Sequence, residues 1–413
     1  MVKFNNLTLL EKILLILVFL YANVFASPII HIIRFPIWES YTLVSLFLII
    51  YYALMYSNKK VINKLYILLF LITLVIGSIT AIYYKFLYGY YIHLNFLLSL
   101  VLFSFFDKKN INMFISSTSI FFFILLIGAY IGFIYGFLGG RPIFSFPNPD
   151  GRMNKIYLTT FTNAIWGGRM IRPAGIYDEP GALSFFICAI CLLRILYKHD
   201  ERRTFYLLLL GIITASLTHL IVLLCYTLYF LRKKENIKNK LTIIGIIIGI
   251  ALILYILFYD ILNMLIIRRL QLDVNNNRLF RGDNRSFYFF YCLELLDIKT
   301  FFLGLDITGF YQDNTAFILK FGSLGEHPLT PLVRYGIFSS WYYYLFLLII
   351  FCAALVKRKY LFIYLSVCIL YFQRPYSSVL GYSFYLVMFF MNAISVLREE
   401  FGVTGKLRCF IKR

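Results

Sequence analysis

Charge of either sign is sparse in this chain, and acidic charge is especially so. Of its 413 residues, 19 are Asp or Glu, and charged residues make up only 14%. A soluble domain carries about 25% charged residues and is about half apolar. Here 61% of the residues are hydrophobic, and the mean hydropathy is +0.80. This composition excludes an ordinary soluble domain and predicts an integral membrane protein.

Several familiar signatures are also missing from the sequence. The net charge of +21 comes with no soluble basic domain or RNA-binding motif, so we expect no nucleic-acid partner. The seven cysteines give only a lone C-x-x-C pair, Cys188 and Cys191, inside an apolar run, which predicts small core residues. The outer loops contain no D-x-D motif, so we expect neither a metal nor another cofactor. We find no convincing signal peptide and no internal repeat.

Apolar runs of membrane-spanning length recur along the whole chain. They cover residues 8–26, 37–56, 61–83, 89–106, 113–138, 182–197, 204–231, 241–260, 332–355, 360–373 and 377–397. The run 204–231 is short for two crossings, so we expect two short helices or a re-entrant hairpin, broken near Thr214 to His219. Counted as a pair, it brings the total to about 12 segments. The predicted fold class is therefore all-α, a single polytopic membrane domain over residues 1–413.

The breaks between these runs predict the orientation. Short basic breaks such as SNKK, DKKN and RKKENIKNK are cytoplasmic by the positive-inside rule, which puts both termini inside. Two long loops, about 139–181 and 261–331, then face outward, and we expect short surface helices in them, including an amphipathic helix within 284–304.

Basic residues on the outer side are mostly arginine, by about three to one over lysine. Arginine binds phosphate through two parallel hydrogen bonds and keeps its charge when partly buried. This excess favours an anionic ligand outside the membrane. The alternative is that these arginines pair with loop carboxylates or lipid phosphates.

Three segments of the outer loops hold the candidate site residues. In RPAGIYDEPGAL, Pro180 predicts the first turn of a helix, with Asp178 or Glu179 near its cap. Asp178 would cap this helix and Glu179 would pair with Arg172, or Glu179 would act as a base or hold a sugar hydroxyl.

The other two segments lie in the second loop. In GEHPLTPLVRYGIFSSW, His327 stands at the start of a span, where it is either a packed side chain or a base. In RLFRGDNRSFYFF, Arg281 and Arg285 are four residues apart, so on a helix both would face one way and could grip one diphosphate.

Taken in the order in which they occur along the chain, the three segments resemble the O-antigen polymerase and ligase superfamily of bacterial envelope proteins. The first resembles its R-x-x-G-x-x-x-E-P motif, and the second its arginine-bearing outer helix followed by a G-x-G-like turn, here LGLD at 303–306. The third is similar to its H-N-x-x-L-x-x-x-x-x-G segment, with Pro328 in place of Asn and Gly336 at the end. The Phe-, Tyr- and Ile-rich composition is typical of the polymerase side.

The resemblance implies a metal-independent, inverting glycosyltransferase that polymerises undecaprenyl-diphosphate-linked repeat units at the outer face of the bacterial inner membrane. The donor glycan, membrane lipid and a chain-length regulator protein are the partners it suggests. An O-antigen ligase acting on lipid A–core and a repeat-unit flippase are the alternatives. We expect the diphosphate to be bound by Arg172, Arg281 and Arg285. The expected catalytic residues are Glu179 and His327, and the other expected substrate contacts are Tyr177, Asp178 and Arg334.

Overall fold

The computed structural model describes most of the chain. The described residues are 9–24, 64–84, 88–104, 106–147, 152–166, 170–232, 272–273, 278–280, 284–305, 326–376 and 381–401, with the single positions 245, 249, 259, 324 and 379. The structure is mostly helical, at 77%, with few strands. The predicted spans 37–56 and 241–260 lie outside the described ranges or have only isolated residues within them.

Helices occupy the other predicted apolar runs and part of the second outer loop. They are α1 (Leu9–Phe19, continued by a π-helical turn, Leu20–Val24), α2 (Lys64–Tyr84), α3 (Tyr88–Ser104), α4 (Lys108–Phe137), α5 (Pro180–Leu196), α6 (Glu201–Leu210), α7 (Leu217–Leu231), α8 (Asn284–Glu294), α9 (Ile298–Leu303), α10 (Thr330–Val356), α11 (Leu361–Gln373) and α12 (Tyr382–Glu400). By length and composition, two of the described helices could cross a membrane, α4 and α10.

The break predicted within 204–231 is confirmed. Helix α6 passes into a 3-10 turn, Gly211–Thr214, and Ala215 then adopts a left-handed conformation (φ 46°) before α7 begins. Helix α7 packs against this turn through His219. A Cβ on Gly211 would lie only 2.3 Å from Cε1 of the His219 ring. A glycine is therefore needed at residue 211 for the two short helices to meet.

The first outer loop differs from the prediction of short surface helices, because its described part forms strands. These are β1 (Phe144–Pro147), β2 (Met153–Tyr157), β3 (Thr160–Thr162), β4 (Ile165–Trp166) and β5 (Met170–Ile171). Strands β1, β2 and β3 form an antiparallel sheet in that order, with Phe144 opposite Ile156, and β4 pairs with β5. Aromatic and β-branched side chains, which suit a pleated surface, supply most of the cross-strand pairs.

The chain divides into two compact units. Unit 1 comprises Met1–Leu223, Tyr342–Leu370 and Tyr376–Arg413, and unit 2 comprises Leu224–Trp341 and Tyr371–Pro375. Unit 1 is organised around α5, which is buried along nearly its whole length. Phe186 of α5 stacks on Tyr177 at 4.8 Å and contacts Tyr382 and Tyr385 of α12. This aromatic core fixes the start of α5, where the first candidate segment ends.

Unit 2 contains a two-stranded hairpin, β6 (Leu272–Asp273) with β7 (Arg278–Phe280), and the helices α8 and α9. Residues 284–304 form two helices instead of one amphipathic helix, because Asp297 caps α9 by accepting a 2.6 Å hydrogen bond from the Thr300 amide. Cys292 of α8 belongs to a small core with Leu324 and Val333. In α9, the apolar residues Ile298 and Phe301 are exposed.

Candidate functional site

Arg172 binds the backbone of the helix break in unit 1. Its Nε and Nη2 donate to the Thr214 carbonyl at 3.2 and 3.1 Å, and Nη2 also donates to the Ala215 carbonyl at 3.1 Å. Carbonyls at the end of a helical segment have no partner within the helix. The guanidinium therefore acts as a cap for the break, and its Nε–Nη2 edge, which the sequence assigned to a diphosphate, is occupied by the protein's own backbone.

The loop that carries Arg172 is tied to the first outer sheet. The Phe161 amide donates to the Gly175 carbonyl and the Ala174 amide to the Phe161 carbonyl, both at 2.8 Å. The Gly175 amide donates to Thr160 Oγ1 at 2.9 Å. Gly175 has φ 63°, a left-handed conformation that favours glycine. This conformation turns the chain from β3 toward α5.

Glu179 stands at the N-cap of α5, with Pro180 at the first helical position as predicted. Its side chain makes no capping hydrogen bond; its Oε2 instead lies 3.2 Å from Arg152 Nη1. Of the two carboxylates expected near the cap, Glu179 rather than Asp178 is therefore the cap residue, and its carboxylate pairs with Arg152, which the sequence did not suggest. The Glu179 side chain is 17% exposed, so the carboxylate remains accessible.

Tyr177 is a core residue of unit 1. It is fully buried, and its hydroxyl donates to the Asn23 carbonyl at 2.8 Å. Tyr385 donates to the Asn23 side-chain oxygen at the same distance. These contacts correct the expectation that Tyr177 binds substrate, because the ring and the hydroxyl are both enclosed by protein.

In unit 2, two glycines of the candidate segments interlock. Gly304 ends α9 with φ 83°, and Gly336 interrupts α10 with φ 66°. A Cβ on Gly304 would lie 2.7 Å from the Gly336 amide, and one on Gly336 would lie 2.3 Å from the Phe302 carbonyl. The Leu305 amide also donates to the Val333 carbonyl at 2.7 Å. The backbone of LGLD therefore packs directly against the backbone of the first turns of α10. These turns carry Arg334.

His327 lies inside this arrangement. The residue is 1% exposed, and its backbone amide donates a hydrogen bond to Thr330 Oγ1 at 3.1 Å. Its ring packs edge-to-face against Phe289, with 6.1 Å between the ring centroids. Neither ring nitrogen makes a hydrogen bond of normal geometry to a described residue. A buried imidazole without such a bond is uncommon in native proteins.

Two arginines act electrostatically on His327. Burial is the main cause that lowers its pKa to about 4, the Leu324 backbone opposes this shift, and the charges of Arg334 and Arg285 add to it. Arg285, from the first turn of α8, lies 4.0 Å from Glu326 through Nη2 and Oε2. Among described residues the Nε of Arg334 has no hydrogen-bond partner. The imidazole is therefore neutral near pH 7, with a ring able to accept a proton.

The structure thus brings together some of the predicted residues. Arg285, His327 and Arg334 share unit 2, whereas Arg172, Tyr177, Asp178 and Glu179 belong to unit 1. Arg281 lies outside the described residues, so its proposed pairing with Arg285 stays a prediction. Within the described ranges, no three His, Cys, Asp or Glu side chains are grouped as metal ligands would be.

The sequence did not single out three residues that the geometry places in these sites. Arg152 holds Glu179 from 27 positions away, a separation that no local pattern reveals. Glu326 and Phe289 contact Arg285 and His327 respectively. The position of Glu326 directly before His327 was the one signal available for this pair.

Comparison of the chain with models of protein families, with curated proteins and with solved structures found no match.

Proposed function

We propose that this chain is a membrane glycosyltransferase that polymerises undecaprenyl-diphosphate-linked repeat units into a surface polysaccharide such as O-antigen. The proposal rests on the resemblance of the three outer-loop segments. The observation that carries it is the neutral, buried His327 in unit 2, influenced by the charges of Arg285 and Arg334. An unprotonated imidazole next to two arginines suits the transfer of a sugar from a diphosphate.

The chemistry requires one bond to form and one to break. An acceptor hydroxyl attacks the anomeric carbon of the donor, the new glycosidic bond forms, and the bond to the diphosphate oxygen breaks. His327 takes the hydroxyl proton on a ring nitrogen. Undecaprenyl diphosphate leaves with both bonding electrons, and Arg285 with Arg334 stabilises the growing negative charge. Attack from the face opposite the leaving group inverts the anomeric configuration.

Glu326 is an acidic neighbour of Arg285 before the substrate binds. The two side chains are 41% and 27% exposed, and their closest atoms are 4.0 Å apart, which is the outer limit of an ion pair. A contact this long and this hydrated contributes little stability. A diphosphate, with more charge and two-point geometry, can therefore compete with Glu326 for the guanidinium.

The proposed setting is the bacterial inner membrane, with unit 2's candidate site on the outer side. Helices α4 and α10 have the length and composition for crossing it. Donor and acceptor are both attached to lipid, so an enzyme held in the membrane meets both at high local concentration.

The test is a complementation experiment in cells that lack this chain. Wild-type protein should restore long polymer on a gel of lipopolysaccharide, whereas His327→Ala should leave lipid A–core with a single repeat while the protein still accumulates in the membrane. The matched control is His199→Ala, because His199 lies in unit 1 and its Nε2 lies 3.2 Å from Asn112 Oδ1.

The same gel separates the competing functions. Cells without a flippase show core alone, and cells without a ligase accumulate polymer on the carrier lipid. Either pattern in the deletion strain, or full-length polymer from His327→Ala, would contradict the proposed polymerase.

A further inference from the structure

Three glycines on α4 form a groove in unit 1, at Gly128, Gly132 and Gly136. A Cβ on Gly132 would lie 2.4 Å from Thr160 Cγ2 and 2.7 Å from the Tyr157 carbonyl. A Cβ on Gly128 would lie 3.4 Å from Thr159. Because the spacing is four residues, the glycines lie along one side of the helix. The turn between β2 and β3 therefore runs down this side of α4.

The turn is tied to the helix at its tip. Thr159 Oγ1 donates to the Gly128 carbonyl at 2.6 Å, and the Thr159 amide donates to the Tyr157 carbonyl at 2.7 Å. Polar groups that enter hydrocarbon must be satisfied within the protein. These two hydrogen bonds satisfy the hydroxyl and the amide of Thr159 within the protein.

Leu158 at the tip is an unusual choice for a turn facing water. It has φ 52°, a left-handed conformation usually taken by Gly or Asn, yet it is a large apolar residue and 44% exposed. Ile143, whose amide donates to the Ile156 carbonyl beside the tip, is 62% exposed. Exposed apolar side chains thus cluster at this end of the sheet.

The depth of the tip follows from α4. A helix rises about 1.5 Å per residue, so Gly128 lies roughly 14 Å before the helix end at Phe137. At this level the neighbouring side of α4 exposes Ile124, Ile127 and Ile131, each at least 46% exposed. These residues continue an apolar stripe at helical spacing that a membrane-spanning helix would turn to lipid. The tip of the hairpin therefore lies level with the lipid-facing part of α4.

We propose that the β2–β3 turn inserts into the outer leaflet of the membrane, with Leu158 and Ile143 contacting phospholipid acyl chains. The inference rests on the membrane setting of the proposed function and adds a second, non-helical membrane contact to it. Since β3 is hydrogen-bonded to Ala174 and Gly175, insertion holds the loop of Arg172 and Glu179 at the lipid surface.

The test measures contact with lipid at three single-cysteine positions labelled with bimane. Leu158→Cys reports the tip, Ile127→Cys reports the exposed side of α4, and Met153→Cys reports the other end of β2, where the residue is 50% exposed. Each labelled protein is reconstituted into phosphatidylcholine vesicles with or without chain-brominated lipid, which quenches bimane on contact. The parent protein, taken through the same labelling, gives the blank for native cysteines.

The expected result is quenching at residues 158 and 127 that is several-fold stronger than at residue 153. Quenching at 127 but not at 158 would overturn the insertion while leaving the membrane setting intact, and this is also the outcome if a second copy of the chain covers the tip. No quenching at 127 would instead remove the membrane setting from the proposed function. If Leu158→Cys does not fold, Ile143→Cys reports the same end of the sheet.

Discussion

The two units treat their charged outer-loop residues differently. In unit 1, Arg172 donates three hydrogen bonds to the carbonyls of Thr214 and Ala215, and Glu179 is paired with Arg152. In unit 2, Arg285 and Arg334 act on a buried histidine whose ring nitrogens make no hydrogen bond of normal geometry to a described residue. An arginine that completes helix-end hydrogen bonds stabilises the fold, whereas buried polar atoms without such bonds, placed near arginines, contribute no such stabilisation.

The comparison divides the predicted arginines by role. Arg172 acts as a positioning residue that joins the loop before α5 to the break between α6 and α7. Arg285 lies 4.0 Å from Glu326, a long contact between partly exposed side chains, and is the better candidate for direct contact with a diphosphate. Substitution of Arg285 should therefore lower mainly the turnover, and substitution of Arg172 should lower mainly the thermal stability.

The largest expected effect is on the chemical step in unit 2. Arg285→Lys keeps the charge but loses the planar two-point grip, so the polymerisation rate should fall about 10²- to 10³-fold, the usual cost of removing one such donor. Its thermal midpoint should hardly change, because the lost contact to Glu326 is long and partly exposed. The measurement is turnover of purified protein with a lipid-linked repeat unit.

Arg203→Lys is the matched control for this substitution. Arg203 is 72% exposed and lies 3.3 Å from Asp200 in unit 1, so the change should alter neither rate nor stability. Wild-type turnover and chain length from Arg285→Lys would show that no two-point phosphate contact exists at this residue.

A smaller effect, on stability, is expected in unit 1. Arg172→Ala leaves the carbonyl of Thr214, a fully buried residue, without its guanidinium donor. An unsatisfied buried carbonyl costs about 1–3 kcal/mol, so the thermal midpoint should drop while activity per folded molecule is reduced less than in Arg285→Lys. The two quantities are measured on the same detergent-purified sample.

Arg152→Ala provides the contrast for Arg172→Ala. Its ion pair with Glu179 is 52% exposed on the arginine side, and such pairs contribute little. If Arg172→Ala kept its thermal midpoint and lost all turnover, Arg172 would be a substrate ligand, as the sequence first suggested, and the division between the units would fail.

The sequence predicted the features that have local causes. Apolar runs predicted the helices, the polar stretch from Thr214 to His219 predicted the break, and Pro180 predicted the start of α5. Each depends on neighbouring residues through hydropathy or backbone restriction. His327 and Arg334 stand in one candidate segment and Arg285 in the other segment of the second loop, so placing them in one unit also agrees with the sequence.

Features that depend on distant partners could not be predicted in this way. Tyr177 is flanked by charged and turn-forming residues, yet its ring is enclosed by Phe122 and Phe186 and its hydroxyl by Asn23, more than 150 positions away. The carbonyls that bind Arg172 have no sequence signature at all. The first outer sheet was missed because its strands are short and its turn residue, Leu158, looks like part of a helix or a span.

The last expected effect is a dependence of stability on pH that comes from His327 and is absent at neutral pH. The folded protein lowers the pKa of this residue to about 4 from an ordinary value of 6.5. Between these values His327 is protonated in the unfolded chain but not in the folded protein. The free energy of unfolding therefore rises with pH from about 4 to about 6.5, and His327 does not change it above that range. The full contribution is up to roughly 3 kcal/mol.

His327→Gln removes this titration while keeping a polar side chain of similar size. As the pH falls from 7.5 to 4.5, the thermal midpoint of the wild type should drop further than that of His327→Gln, since all other titrating groups are common to both proteins. Parallel curves would mean that His327 titrates as it does in water, and the argument for a desolvated base beside Arg285 and Arg334 would no longer hold.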